Sequence, residues 1–390
     1  MNRPIPESVD ELLAAMVQID SVNSAVIGRP RAESGLGDYL ELLAGAWQIP
    51  CRRLPVEGGA DNLLLEVQAG GGGAGRPWLL FDSHMDTVSA EGMTIDPFGG
   101  EIREGRLYGR GSCDTKGTGA AMLWALKQYS AVAGPNHIGL LFSVDEEVTM
   151  TGIRSFMKRD LPALGIRPSG MIVGEPTMLR SVTAHNGVVR WRIATVGKAA
   201  HSSVPQLGCS AIRMMSRVIE TVESNYIAKL TASHPQTGKG VCSITKIHGG
   251  SQENIIPERC EITLDRRLVP GEHPEKVLPA VQSLLDELLR DDAQFKCEQI
   301  PGYDAPPLDS ASNQSLTVAV RNVLEQNGLD PESIGVPFCT HAGIADQEGL
   351  PAVVLGPGDP RPAHTKDEWV DLEQIRKGAE VYQALMAAAL

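Results

Sequence analysis

Trp78-Leu79-Leu80-Phe81-Asp82-Ser83-His84-Met85-Asp86 starts as an apolar run and finishes in groups that can hold a metal ion. Trp78 to Asp82 reads as a strand, and His84 and Asp86 stand where it ends. The pattern recurs downstream. Apolar Ile138 to Val144 runs into Asp145, Glu146 and Glu147, and Met171 to Gly174 runs into Glu175. Helical spacings at Gly119 to Tyr129 and Gly152 to Arg159 separate these strands. Such interleaving predicts an α/β fold, a mixed, mostly parallel sheet flanked by helices. Ligands of such sheets gather at the carboxyl ends of the strands, so three strand ends here offer metal-type ligands.

Working outward, residues 8 to 48 carry two helical patterns (Leu12, Leu13, Met16 and Val17, then Leu36, Tyr39, Leu40 and Leu43), and Asn62 to Val67 reads as another strand. Gly70 to Gly75 is a glycine loop without phosphate-binding grammar, because no helix follows its last glycine. From 182 to 303 the order is strand, helix, strand, strand, helix, strand, a ferredoxin-like βαββαβ unit. After 310 the alternation resumes, ending in a helix at Leu372 to Leu390. Residues 1–181 and 304–390 are therefore expected to form one discontinuous domain, and 182–303 an insert.

Composition narrows the function classes. The 390 residues are 42% hydrophobic and 21% charged, as in an ordinary globular chain. Lys and Arg number 35 against 48 Asp and Glu, a net charge of -13 without any basic run, which excludes binding to nucleic acid through its phosphates. No apolar stretch approaches the ~20 residues of a membrane span. Met1 to Pro6 leads into acidic residues without the apolar core of a signal peptide, so a cytoplasmic protein is expected. The seven cysteines form no Cys-x-x-Cys pair, which argues against a disulfide framework or a thiolate zinc site.

Each candidate site residue has a plain structural alternative. His84 and Asp86 could be a local hydrogen-bonded pair, and Asp114, after Gly109-Arg110-Gly111-Ser112-Cys113, could cap the following helix. Asp145, Glu146 and Glu147 could form a solvated acidic turn; Glu175 and His364 could be polar loop residues. Taken together, two imidazoles and several carboxylates make a ligand set suited to zinc, cobalt or manganese.

In that order, with Ser83-His84-Met85-Asp86, Gly109 to Gly117, Asp145-Glu146-Glu147 and Gly174-Glu175-Pro176-Thr177 around them, these residues resemble the dinuclear zinc aminoacylase and carboxypeptidase family, which includes acetylornithine deacetylase and succinyl-diaminopimelate desuccinylase-like metallopeptidases. The resemblance covers essentially the whole chain. It implies two Zn2+ per subunit, with Co2+ or Mn2+ as substitutes. His84 and Glu175 would hold one ion, Glu147 and His364 the other, and Asp114 would bridge them. Asp86 would accept a proton from the second nitrogen of His84 and so fix its tautomer, and Glu146 would be the general base. In the insert, His201 would bond the oxyanion from the partner subunit of a homodimer, which makes the insert a dimerisation domain. Asn254 and Arg266 would hold the substrate, the arginine through its planar fork on a carboxylate.

One departure bears on specificity. Where the family often carries an acid after Gly-Thr, this chain has Cys339-Thr340-His341, so His341 enters as a substrate-side candidate that would not pair with a cationic side chain. The expectation is a metal-dependent amidohydrolase that deacylates an N-acyl amino acid. A dipeptidase or carboxypeptidase on the same scaffold is the nearer alternative, and a non-catalytic metal-binding homologue the farther one.

Overall fold

The computed structural model describes residues 4–70, 75–132, 134–291, 294–309 and 311–389; the middle of the glycine loop, 71–74, lies outside them. The chain divides into two compact units. One comprises Met1–Thr183, Asp309–Gly335 and Thr340–Leu390; the other comprises Ala184–Leu308 and Val336–Cys339.

The first unit is organised by an eight-stranded sheet in the order Cys51–Leu54, Asn62–Val67, His137–Ser143, Trp78–His84, Pro168–Val173, Ala352–Val354, Val182–His185, Ile334–Val336. Its four central strands, from His137–Ser143 to Ala352–Val354, run parallel. Cys51–Leu54 and Asn62–Val67 pair antiparallel on one side, and Val354 pairs antiparallel with Val182 on the other. The central strands are apolar because both faces are covered. Leu79, Phe81, Ile138 and Leu140 pack with Leu123 and Leu126 of the helix Lys116–Ser130 and with Ile375 and Tyr382 of Leu372–Ala387. Each such side chain, fully buried, contributes roughly 1.5–3 kcal/mol.

Two glycines bring this layer close to the strand ends. A Cβ on Gly119 would lie 2.9 Å from Ser83 Oγ, and one on Gly174 2.3 Å from Thr118 Cγ2. A larger residue at either position would push the helix after Asp114 away from the strands that end at His84 and Glu175.

Several short elements lack a sequence signal. The three-stranded sheet of Glu101–Arg103, Arg106–Tyr108 and Trp369–Asp371 is one, because three residues are too few to show a period. The helix His341–Gln347 is another, started by Thr340, whose hydroxyl accepts from Ala342 N.

The second unit holds a four-stranded antiparallel sheet in the order Val241–Gly249, Arg259–Leu268, Gly187–Val196, Cys297–Ala305. The helices Ala211–Asn225 and Val277–Asp291 bury one of its faces, closing Met215, Val218, Val281 and Leu285 over Trp191, Ile193, Ile262 and Leu264. The last strand continues past Pro301, through a register shift before Asp304, to Ala305. Among the described residues no helix is long and apolar enough to cross a membrane.

Candidate metal centre

Three strand ends and two loops of the first unit converge. His84, Asp114 and Glu175 bring one ligand atom each within 4.8 Å of one another, and Asp114, Glu147 and His364 do the same. Asp114 is common to both groups. His84 Nε2 stands 3.1 Å from Asp114 Oδ1 and 3.9 Å from Glu175 Oε1; His364 Nε2 stands 3.1 Å from both Asp114 Oδ2 and Glu147 Oε1. Asp114 is not a helix cap: Thr115 occupies that position and no side chain caps the helix, so the Asp114 carboxylate is free to face both imidazoles.

The electrostatics match a crowd of carboxylates with little water. Burial, followed by the charge of Asp114, raises Glu147 and Glu175; burial also raises Glu146, with the charges of Glu147, Asp114 and Asp86 adding to it. For Asp114, hydrogen bonds with His364 and His84 outweigh burial and hold the carboxyl well below the usual range. The imidazoles answer in kind. Hydrogen bonds to Asp114 and Glu147 push His364 up to about 11, and His84 is raised by Asp114 and Glu175 against its own burial. The cluster therefore attracts positive charge, and two imidazoles with three carboxylates form a donor set that fits two divalent cations sharing Asp114.

Asp86 acts differently from the expectation. His84 Nδ1 donates to the Asp86 backbone carbonyl at 2.9 Å, while the Asp86 carboxylate is 3.6 Å away, beyond hydrogen-bonding range. The carbonyl thus leaves Nε2 to face Asp114 and Glu175. The Asp86 carboxylate instead accepts from Glu146 N (3.0 Å), Glu147 N (3.1 Å) and the buried Asn23 side chain (2.8 Å). Asn23 Nδ2 also reaches Asp145 at 3.0 Å. Asp145 sits at φ 63 and accepts from Thr149 and Thr151, which fixes the turn that carries the two glutamates. Sequence reasoning missed Asn23. A lone asparagine sixty-three residues before its partner gives no local pattern.

The substrate-side candidates separate. His201 and Asn254 are neighbours in the second unit: Ala200–His201 pairs with Ile255–Ile256, Ser202 N donates to the Asn254 carbonyl, and both side chains are exposed. His201 Nδ1 lies 2.8 Å from Ser203 Oγ. Arg266 does not join them. Along Arg259–Leu268 the alternate residues Cys260, Ile262, Leu264, Arg266 and Leu268 face the helix-covered side, and Arg266 is 1% exposed, its guanidinium held by Glu272 at 2.5 Å and by the carbonyls of Val241 and Arg267. A fork so occupied is not free for a carboxylate. Arg267 is partly exposed on the other face, paired with Asp265 at 2.7 Å.

His341 does not face a substrate either. It is buried in the first unit, Nδ1 2.7 Å from Asp82 Oδ2, and Ser143 Oγ donates to Asp82 Oδ1 at 2.7 Å. An acid at 341 would bury a second carboxylate against Asp82, whereas the histidine ring offers Asp82 a hydrogen-bond partner. His341 is thus a partner for Asp82 and not an open contact for a substrate side chain.

A fold of this kind, with five clustered histidines and carboxylates that could hold metal ions, fits a metal-dependent hydrolase. Residues 80–388 match Peptidase family M20/M25/M40, and the chain belongs to that family. It acts as such an enzyme on amides or peptides. It is 31% identical to an acetylornithine deacetylase of Myxococcus xanthus over 82% of each chain, and 30% identical to one of Photorhabdus laumondii over 99% of this chain and 98% of that one. Among solved structures, an aminopeptidase from Bacillus cereus superposes with a TM-score of 0.76 at 21% identity over 98% of both chains. A dinuclear metal-binding peptidase from Bacillus subtilis gives 0.70 at 14% identity, covering 97% of this chain and 96% of the other.

Proposed function

We propose that the protein removes the acyl group from an N-acyl amino acid, using two zinc ions, replaceable by cobalt or manganese, held by His84 and Glu175 on one side, Glu147 and His364 on the other, and Asp114 between them. The observation that carries this reading is the pair of three-residue groups sharing Asp114, with the adjacent Glu146 carboxylate in neither. When bound, two such ions lower the pKa of water and polarise a scissile carbonyl. The remaining steps belong to the chain. Glu146, on the turn whose two amides donate to Asp86, takes a proton from the attacking water and returns it to the leaving nitrogen. Asn23 and Asp86 keep that turn in place, and Asp114 keeps the two ligand groups in register.

His201 and Asn254 serve the substrate from the second unit, with His201 reaching the site of the partner in a homodimer. The unit offers a surface for such pairing: Val241–Gly249 is an edge strand bearing exposed Val241 and Ile247. The acyl amino acid as substrate is supported by the two deacetylase relatives. A dipeptidase reading draws on the fold shared with a di-peptidase of Saccharomyces cerevisiae, TM-score 0.75 at 14% identity over 97% of this chain and 95% of that one. Amino-acid release from N-acetyl, N-succinyl and N-formyl amino acids and from dipeptides, with zinc or cobalt added, separates the two. Release from acyl amino acids is expected; release from dipeptides alone would favour the second reading, and none from any substrate would overturn both.

A further inference from the structure

We infer that Glu368 is a positioning residue that sets the separation of Asp114 from His364, and through it the geometry of both ligand groups; this rests on the two-ion reading above. Glu368 is fully buried, four residues after His364. Its carboxylate accepts four hydrogen bonds, all from the loop that delivers Asp114. Oε2 takes Arg110 Nη1 at 2.6 Å and Gly111 N at 3.1 Å; Oε1 takes Cys113 N and Asp114 N, each at 3.0 Å. One side chain from the His364 loop thus fixes the backbone of the residue that both groups share.

The connection is doubled. Arg110, 3% exposed, donates onward to the Thr365 carbonyl at 3.3 Å and to the Ser89 carbonyl at 3.0 Å, so the buried ion pair reaches the residue next to His364. Beneath it, Trp369–Asp371 pairs with Arg106–Tyr108, and Gly109 N donates to the Glu368 carbonyl at 3.0 Å. The ladder brings the two loops side by side; the carboxylate then sets their register to the precision of hydrogen-bond lengths. Both oxygens are used twice, always as acceptors, and an amide cannot reproduce that. In Glu368→Gln an NH2 would face either two backbone amides or a guanidinium and an amide, and the Asp114 loop would have to move.

The test is titration of the chelated full-length protein with Co2+, followed by stoichiometry, affinity and the visible d–d absorption of the bound ion, with exposed Lys366→Ala as control. The wild type and Lys366→Ala are expected to bind two equivalents with the same spectrum. Glu368→Gln, folded by circular dichroism, is expected to bind the second equivalent about 10- to 100-fold more weakly, the usual cost of losing a group that orients a ligand, with a shifted or weakened band. Glu368→Asp should fall between. A wild type that does not take up two equivalents would overturn the two-ion reading itself. Two equivalents with unchanged affinity and spectrum in both Glu368 variants would overturn this inference alone. Loss of folding in both variants would also overturn it, since Glu368 would then act on the fold and not on the ligands.

Discussion

At the strand ends of the first unit, Asp114, Glu147 and Glu175 keep 7–14% of their side-chain surface, whereas on the open face of the second unit's sheet Arg190, Arg192 and Arg259 keep 47–51%. The second set is paired in water, with Asp265, Glu261 and Glu298, and each such pair is worth about 0–1 kcal/mol. The first set gathers like charges where solvent cannot screen them. Its carboxyls are driven up except for Asp114, which the two imidazoles hold down. Exposed ion pairs can be rearranged without much consequence for folding. Buried carboxylates crowded together cost stability, and their cost is offset where they bind a cation.

The largest effect that can break this contrast concerns Glu146 and Glu147, adjacent in sequence and assigned different work. Glu146→Gln should lower kcat by roughly 10²- to 10⁴-fold with metal content near that of the wild type, while Glu147→Gln should lose metal. Kinetics beside elemental analysis reads both, and the reverse pattern would exchange their roles.

Next come the two arginines of one strand. If the partly exposed Arg267 exchanges Asp265 for the substrate carboxylate, in the role that the resemblance gave Arg266, Arg267→Ala should lower kcat/KM for an acyl amino acid by about 10- to 150-fold, the size of a charge-assisted pair, and spare the carboxamide analogue. Arg266→Met should chiefly lower the melting temperature, since its guanidinium is buried on Glu272. Discrimination between the substrates by Arg266→Met and not by Arg267→Ala would return the anchor to Arg266.

A smaller effect tests the homodimer. Mixed pairs of Glu146→Ala and His201→Ala chains should regain about a quarter of wild-type activity, because random pairing makes half heterodimers and each has one site with both groups intact. Activity no higher than either parent, with heterodimers present by mass spectrometry, would place His201 outside a shared site.

The last is a pH effect on stability, at the end of the strand Val182–His185. Burial, opposed by a hydrogen bond to the Asn186 carbonyl, holds His185 at about 4 against 6.5 unfolded. Between those values the unfolded chain binds a proton that the native chain does not. Stability should fall as pH drops through that window, by up to about 3 kcal/mol, and stay level below it. Denaturant melts of His185→Gln should show a flatter acid slope; an unchanged slope would contradict the assignment.

Much of the first unit was legible because apolar runs such as Leu79 to Phe81 stop at ligand-type residues, and a parallel sheet gathers such ends. Arg266 was legible as well, though misread: Ile262, Leu264 and Leu268, two and four positions away, put it on the apolar face. Other features were not legible. That the Asp86 carbonyl and not its carboxylate would meet His84, or that Asp82 would wait for His341, depends on a backbone turn and on a contact across 259 residues. No local period encodes either.

The central claim is that Asp114 joins two metal sites. Elemental analysis of purified wild type and Asp114→Ala, each loaded with excess zinc and desalted, tests it most directly. The account predicts two zinc ions per wild-type chain and a loss at both sites in the folded variant, to well below one per chain. Two ions per chain retained by Asp114→Ala would contradict it.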